Sequence, residues 1–284
     1  MTGESKRITI KRISVAIDCS PHSRASLNAA AEIAGLLHAE LLGIFVEDIN
    51  LLRMAELPFS QEIHIHTARF EPLDPLKLKR LLKLQAKEAH EIFMETAKRF
   101  GIPHTFRTLR GLVPSEVLAA ALETDLLALG RSGRTPVCRR GLGSTAKKAI
   151  EEAKTNILLT RSGFKSGSPL LVVYDGSPGA QLALETALGI ARRDSTLHVF
   201  LVAGSSQRAF GLREEAETII GGRAGKKEFH MIPWTDTRML SQYIRMTETG
   251  LLVLCDSNKA LSHDTVYRLI DEIDYPVLLV RSLR

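Results

Sequence analysis

Between residues 130 and 144 the chain reads GRSGRTPVCRRGLGS, and these residue types at this spacing suit the binding of an anion. Glycines at 130, 133, 141 and 143 allow a backbone to approach a ligand where a Cβ would stand in the way. Ser144 and Thr145 follow, where a helix can begin and offer its free N–H groups and positive dipole end to a phosphate. Arg131 and Arg134 can add charge. The Walker pattern GxxxxGK[ST] is absent, so the chemistry is not that of a P-loop ATPase.

The loop needs a scaffold, and the sequence supplies one twice. Val15 to Ala34 aligns without gaps on Val172 to Ala191, with Val15, Asp18, Ser20, Pro21, Leu27, Ala30, Ile33 and Ala34 recurring as Val172, Asp175, Ser177, Pro178, Leu184, Ala187, Ile190 and Ala191. In each copy a short apolar strand ends at an aspartate and a Ser-Pro pair opens an amphipathic helix, proline being favoured in a first turn. Further strands are expected near residues 41–46, 104–109, 126–129 and 156–160, with helices around 78–100, after Pro114 and from Ser144. The second copy repeats the alternation between residues 170 and 280. Strand and helix alternating in this way predict an α/β fold of two tandem, doubly wound parallel-sheet domains, residues 1–162 and 168–284, with a Gly/Ser-rich linker near residues 163–168. Residues 47–75 have no counterpart, and Pro58, Pro72 and Pro75 predict a partly irregular connection.

In such a sheet ligands bind beyond the carboxyl ends of the strands, where strand order reverses. Asp18, Val46 and the glycine loop converge there. After Leu254 the second copy reads Cys255-Asp-Ser-Asn-Lys-Ala-Leu-Ser-His263, without a glycine, so only the first copy is expected to hold an anion.

Gly130-x2-Gly133-x9-Gly143-Ser144 has the pattern G-x2-G-x9-G-[S/T], and with VAIDCSPHS, GLVPSEVLAAALETDLLALG and TNILLTR it makes nearly the whole chain resemble a tandem universal stress protein. The resemblance implies a Rossmann-like fold of the adenine nucleotide alpha hydrolase type and binding of ATP or another adenine nucleotide, with Mg²⁺. It implies that Asp18 lies near adenine and ribose and that the Val46 backbone meets the adenine edge. Gly130, Gly133, Gly143, Ser144 and Thr145 would meet ribose and phosphates, with Arg131 beside them. Family members associate through their last strands, so the similar endings ILLTR and VLLVR imply an intramolecular pseudo-dimer, with further dimerisation open. The implied role is stress-response regulation through an unidentified protein partner, with at most slow ATP hydrolysis, since no residue is placed to orient a water.

Bulk properties narrow the alternatives. The 284 residues are 44% hydrophobic and 25% charged, with no apolar run of membrane length and no apolar core of a secretory signal, which predicts a cytoplasmic protein without a membrane partner. Cys19, Cys138 and Cys255 lie far apart, as free thiols do. Up to residue 165 there are 25 Lys and Arg against 18 Asp and Glu, and beyond it 13 against 14, so the net charge of +6 belongs to the half with the loop. Arg131, Arg134, Arg139 and Arg140 lack interleaved aromatics, which disfavours nucleic acid. His64 and His66 lack a nearby third ligand and read as surface residues. The rival reading is a protein- or RNA-interaction module whose loop stays empty; an adenylating enzyme would need catalytic groups that are not visible.

Overall fold

In the computed structural model the described residues are 9–64, 69–133, 141–161, 164–233, 237–247 and 249–282. The first half runs β1 (Arg12–Ala16), α1 (Pro21–Leu37), β2 (Glu40–Asp48), α2 (Ile49–Ala55), β3 (Gln61–His64), β4 (Arg69–Pro72), α3 (Pro75–Phe100), β5 (His104–Gly111), α4 (Val113–Ala121), β6 (Leu126–Gly130), α5 (Ser144–Glu152) and β7 (Asn156–Thr160). The second runs β8 (Leu170–Tyr174), α6 (Pro178–Ile190), β9 (Thr196–Ala203), α7 (Ser206–Ile220), β10 (Lys226–Pro233), α8 (Thr237–Met246), β11 (Leu251–Cys255), α9 (His263–Glu272) and β12 (Val277–Val280).

Ten strands form one sheet in the order β10-β9-β8-β11-β12-β7-β6-β1-β2-β5. Each half contributes five parallel strands whose order reverses beside its first strand, between β1 and β6 and between β8 and β11. The halves meet through β7 and β12, which pair antiparallel from Leu159 opposite Val277 to Ile157 opposite Leu279. An otherwise parallel sheet thus has one antiparallel seam where the two similar strand endings lie side by side. The seam is buried throughout, and it requires apolar residues on both faces of both strands. Helices cover both faces: α1, α3, α6 and α7 contribute to one apolar layer, and α4, α5, α8 and α9 to the other.

The described parts of this connection, residues 47–64 and 69–75, are more regular than their prolines suggest. Asp48 caps α2 by accepting from the Asn50 N–H, and β3 and β4 pair antiparallel as a separate two-stranded sheet. Proline is tolerated there because Pro72 ends an edge strand and Pro75 starts α3, where a missing N–H costs nothing. The linker is also partly packed: Phe164 is buried against the core shared by both halves.

The repeated aspartate and serine act locally in both copies. Ser20 and Ser177 are N-caps of α1 and α6, accepting from Ser23 N–H and Ala180 N–H, and Asp18 and Asp175 accept from the Ser20 and Ser177 amides. Between them the backbone is left-handed, at Cys19 with φ 63° and at Gly176 with φ 78°. The first half carries this conformation on a side chain; in the second a Cβ at Gly176 would lie 2.6 Å from the Leu212 side chain, which would have to move. Gly176→Ala is therefore expected to lower stability by about 1–2 kcal/mol or more, read as a reduced urea midpoint at constant m-value. An unchanged midpoint would contradict this.

Candidate functional site

A cleft of about 360 Å³ opens at the carboxyl ends of the first half's strands, at the point where order reverses between β1 and β6. Its apolar wall comes from Ala16 and Ile17 after β1, from Ile44, Phe45 and Val46 on β2, from Val113 and Val117 on α4 and from Leu129 on β6. Its polar lining comes from Asp18, Ser20, Ser23, Ser132, Ser144 and Thr145. Gly130, Gly133 and Gly143 complete it, so of the residues the resemblance assigned to the nucleotide all but Arg131 line this cleft, and Gly141 does not. An apolar body with a few convergent polar groups is the usual form of a small-ligand site.

Each element brings its group there for a local reason. The Ile44 carbonyl accepts from the Ile17 N–H at 2.8 Å. Val46, two residues further along β2 and so on the same edge, carries its N–H and carbonyl past the end of β1 into the cleft. The Asp18 Oδ1 accepts from Ser20, whereas Oδ2 has no hydrogen bond among the described residues. At the loop's far end Gly143 is the N-cap of α5 and no side chain caps that helix, which leaves its first N–H groups, from Ser144 onward, to the cleft. The loop closes on itself where the Arg131 N–H donates to Thr160 and the Arg131 carbonyl accepts from Gly143 N–H at 2.7 Å.

The glycines differ in what they do. A Cβ on Gly130 would come within 2.9 Å of the His22 backbone, so this glycine lets α1 pack against β6. Gly133 passes beside Asp18, whose Oδ2 would be 3.2 Å from an added Cβ. Gly143 has ordinary dihedrals, φ −67° and ψ 161°, and an added Cβ would meet nothing closer than 3.5 Å among the described residues. Neither strain nor packing by the described residues demands a glycine there.

Arg131 departs from the sequence reading, because its guanidinium turns away from the cleft and does not supply charge to it. It is 2% exposed and donates to the Ile273 carbonyl at the end of α9, across the seam. Burial pushes its pKa down to about 10, helped by the nearby Arg161 guanidinium, yet it stays protonated at neutral pH. Its position immediately after β6 puts it over β7 and next to the second half, which no local pattern reveals. Arg131→Ala is expected to lower the urea midpoint by an amount equivalent to about 1–3 kcal/mol, because a buried carbonyl loses its donor; an unchanged midpoint would refute this strut. Arg134 and residues up to 140, Cys138 among them, lie outside the described residues, as does the His66 of the sequence's histidine pair.

The corresponding place in the second half is built differently. Asp175 Oδ1 accepts from Ser177 N–H and Oγ–H, and Oδ2 accepts from Ala260 N–H at 2.6 Å. The segment after β11 thus folds onto the aspartate. It also packs on the first turn of α6, since a Cβ at Gly179 would lie 2.5 Å from Ser257 Oγ. Protein atoms occupy here what is open in the first half.

Two tandem repeats of a doubly wound sheet, one with a glycine-lined cleft at its switch point, define the class of protein. The universal stress protein family profile matches residues 9–161, more than half of the chain, and the chain belongs to this family. It is 24% identical over 293 residues to universal stress protein Slr1230 of Synechocystis, covering 96% of this chain and all of that one. It is 26% identical over 153 residues to universal stress protein MJ0531 of Methanocaldococcus jannaschii, covering 53% of this chain and 82% of the relative. Among solved structures, a universal stress protein from Archaeoglobus fulgidus superposes with a TM-score of 0.70 at 17% identity, covering 97% of both chains, which supports the fold. No helix among the described residues is long and apolar enough to cross a membrane.

Proposed function

We propose that the cleft of the first half binds ATP or another adenine nucleotide, and that this chain acts in the cytoplasm as a stress-response regulator whose state follows nucleotide occupancy. The observation that carries the reading is the start of α5, where no side chain caps the helix and its first N–H groups, beside Gly143, open onto the cleft. The adenine would lie on the apolar wall, its edge read by the Val46 backbone. Ribose and phosphates would meet Asp18, Gly130, Gly133, Gly143 and the α5 amides, with the Ser144 and Thr145 hydroxyls adding hydrogen bonds.

Mg²⁺ fits the donors present. It usually takes one or two carboxylates, phosphate oxygens and waters, and Asp18 offers a carboxylate oxygen without another partner among the described residues. The ion would neutralise phosphate charge. Asp18 is the one titratable side chain among the described residues lining the cleft, and among them no second such group is placed to orient a water, which accords with at most slow hydrolysis.

The second half, residues 168–284, serves in this reading as a structural partner domain for residues 1–162. Signalling would run through residues 47–75, next to the cleft in sequence, where Leu57, Phe59 and Phe70 are exposed and offer apolar surface to a partner protein. A ligand shifts such a surface only by its different affinity for the two loop states.

Calorimetric titration of the full chain with ATP and Mg²⁺ tests the proposal. One site per chain with modest salt dependence is expected. No saturable site, or RNA binding that falls steeply with salt, would favour an interaction module instead.

A further inference from the structure

The second half carries a set of metal-type donors that nucleotide binding does not use. Strands β9 and β10 are parallel neighbours, with His198 opposite Glu228 and Phe200 opposite His230. Because side chains alternate along a strand, these four residues share one face of the sheet. The His230 ring stacks on Phe200 with centroids 4.9 Å apart, which fixes the imidazole plane. His198 is 3% exposed, whereas Glu228 is 37% exposed and leaves a way in from the sheet edge.

Three donor atoms converge there. His198 Nδ1 lies 3.1 Å from His230 Nε2 and 3.4 Å from a Glu228 carboxylate oxygen, and one donor from each residue lies within 4.8 Å of the others. A tetrahedral ion with bonds of about 2.0–2.1 Å sets its ligand atoms about 3.3–3.4 Å apart. The two separations from His198 Nδ1 are close to that, and the third, between His230 and Glu228, is within 4.8 Å. A three-centre hydrogen bond from a protonated His198 Nδ1 also spans the His230 nitrogen and the Glu228 oxygen, and metal titration separates the two arrangements. A cation attracts all three donors at once.

We propose that His198, Glu228 and His230 form a site for a divalent transition-metal ion, Zn²⁺ by the donor set, with a remaining coordination position open to water or an outside ligand. Two imidazoles and a carboxylate suit Zn²⁺ better than Mg²⁺ or Ca²⁺, which favour oxygen. Lys226 Nζ lies 2.6 Å from the other Glu228 oxygen and holds the carboxylate so that one oxygen faces the histidines. Bound metal would pin the edge strand β10 to β9.

The test uses the full chain, freed of metal with chelator and without nucleotide. Titration with Zn²⁺ by calorimetry, and with Co²⁺ followed by visible absorption, is expected to show one equivalent bound with a tetrahedral cobalt spectrum and a raised Tm. Glu228→Gln and His230→Ala should each weaken binding at least about tenfold, and the double variant should lose both the spectrum and the Tm shift. Glu228 is partly exposed, so its glutamine variant is expected to fold and decides the matter if His230→Ala does not. Absence of binding by the wild-type chain at micromolar metal, or binding undiminished in Glu228→Gln, would overturn the site.

Discussion

Gly143→Asp is expected to abolish nucleotide binding while leaving the fold intact. The φ of −67° accepts any L-residue and the new Cβ would meet only ordinary contacts, the nearest at 3.5 Å, so stability should change little. The carboxylate would, however, stand at the N-terminus of α5, where the nucleotide's phosphates are proposed to lie. Two like charges about 4 Å apart near a protein surface repel by about 4 kcal/mol, enough to weaken affinity by about 100-fold or more. Gly143→Ala separates volume from charge and should weaken binding less. Calorimetry and thermal melting of the same samples check both halves of the expectation; unchanged ATP affinity in Gly143→Asp would remove the loop from the site.

The second large effect is an asymmetry between residues that sequence alignment makes equivalent. Asp18→Ala should weaken nucleotide binding about tenfold to 100-fold, as expected for loss of a hydrogen bond involving a charged group. Asp175→Ala should leave nucleotide affinity where it was and lower stability instead. Its carboxylate holds Ser177 and, through the Ala260 N–H, the segment after β11. The melting temperature should therefore fall in Asp175→Ala more than in Asp18→Ala. A large affinity loss from the Asp175 change would mean that the second half also takes part in binding.

Much of this was legible in the sequence because it depends on local rules. Apolar strands ending in aspartate, Ser-Pro helix starts and the 157-residue offset of the repeat fixed the alternation of elements, and Ser20 and Ser177 cap the helices that they were expected to begin. The cleft's glycines were readable because three of them sit between one strand and one helix. What was not legible depends on partners distant in sequence. Arg131 looked like part of an anion loop, but its guanidinium meets a carbonyl 142 residues away across the seam. Gly130 looked like ligand contact and also solves a packing problem with α1. The α2 helix and the β3-β4 hairpin were masked by prolines that sit at element ends, where they do no harm. His198 is thirty residues from Glu228, and only strand register brings it to the face that Glu228 and His230 share; the local E-x-H spacing was the available signal.

The comparison of the two halves also gives a physical account of how a duplicated fold becomes asymmetric. The segment after β11 has no glycine and a shorter path to its helix, and its Ala260 N–H meets Asp175. The aspartate makes the same helix-turn contact in both copies, while its second oxygen is bonded to Ala260 N–H in the second copy and has no hydrogen bond among the described residues in the first.

The most direct measurement is to denature freshly purified full-length protein and identify any released small molecule by chromatography and mass spectrometry, with added ATP and Mg²⁺ for protein that emerges empty. An adenine nucleotide at close to one per chain, lost in Gly143→Asp, is the predicted result. A chain that releases none and takes up none would contradict nucleotide binding by the first-half cleft, leaving the fold and family in place.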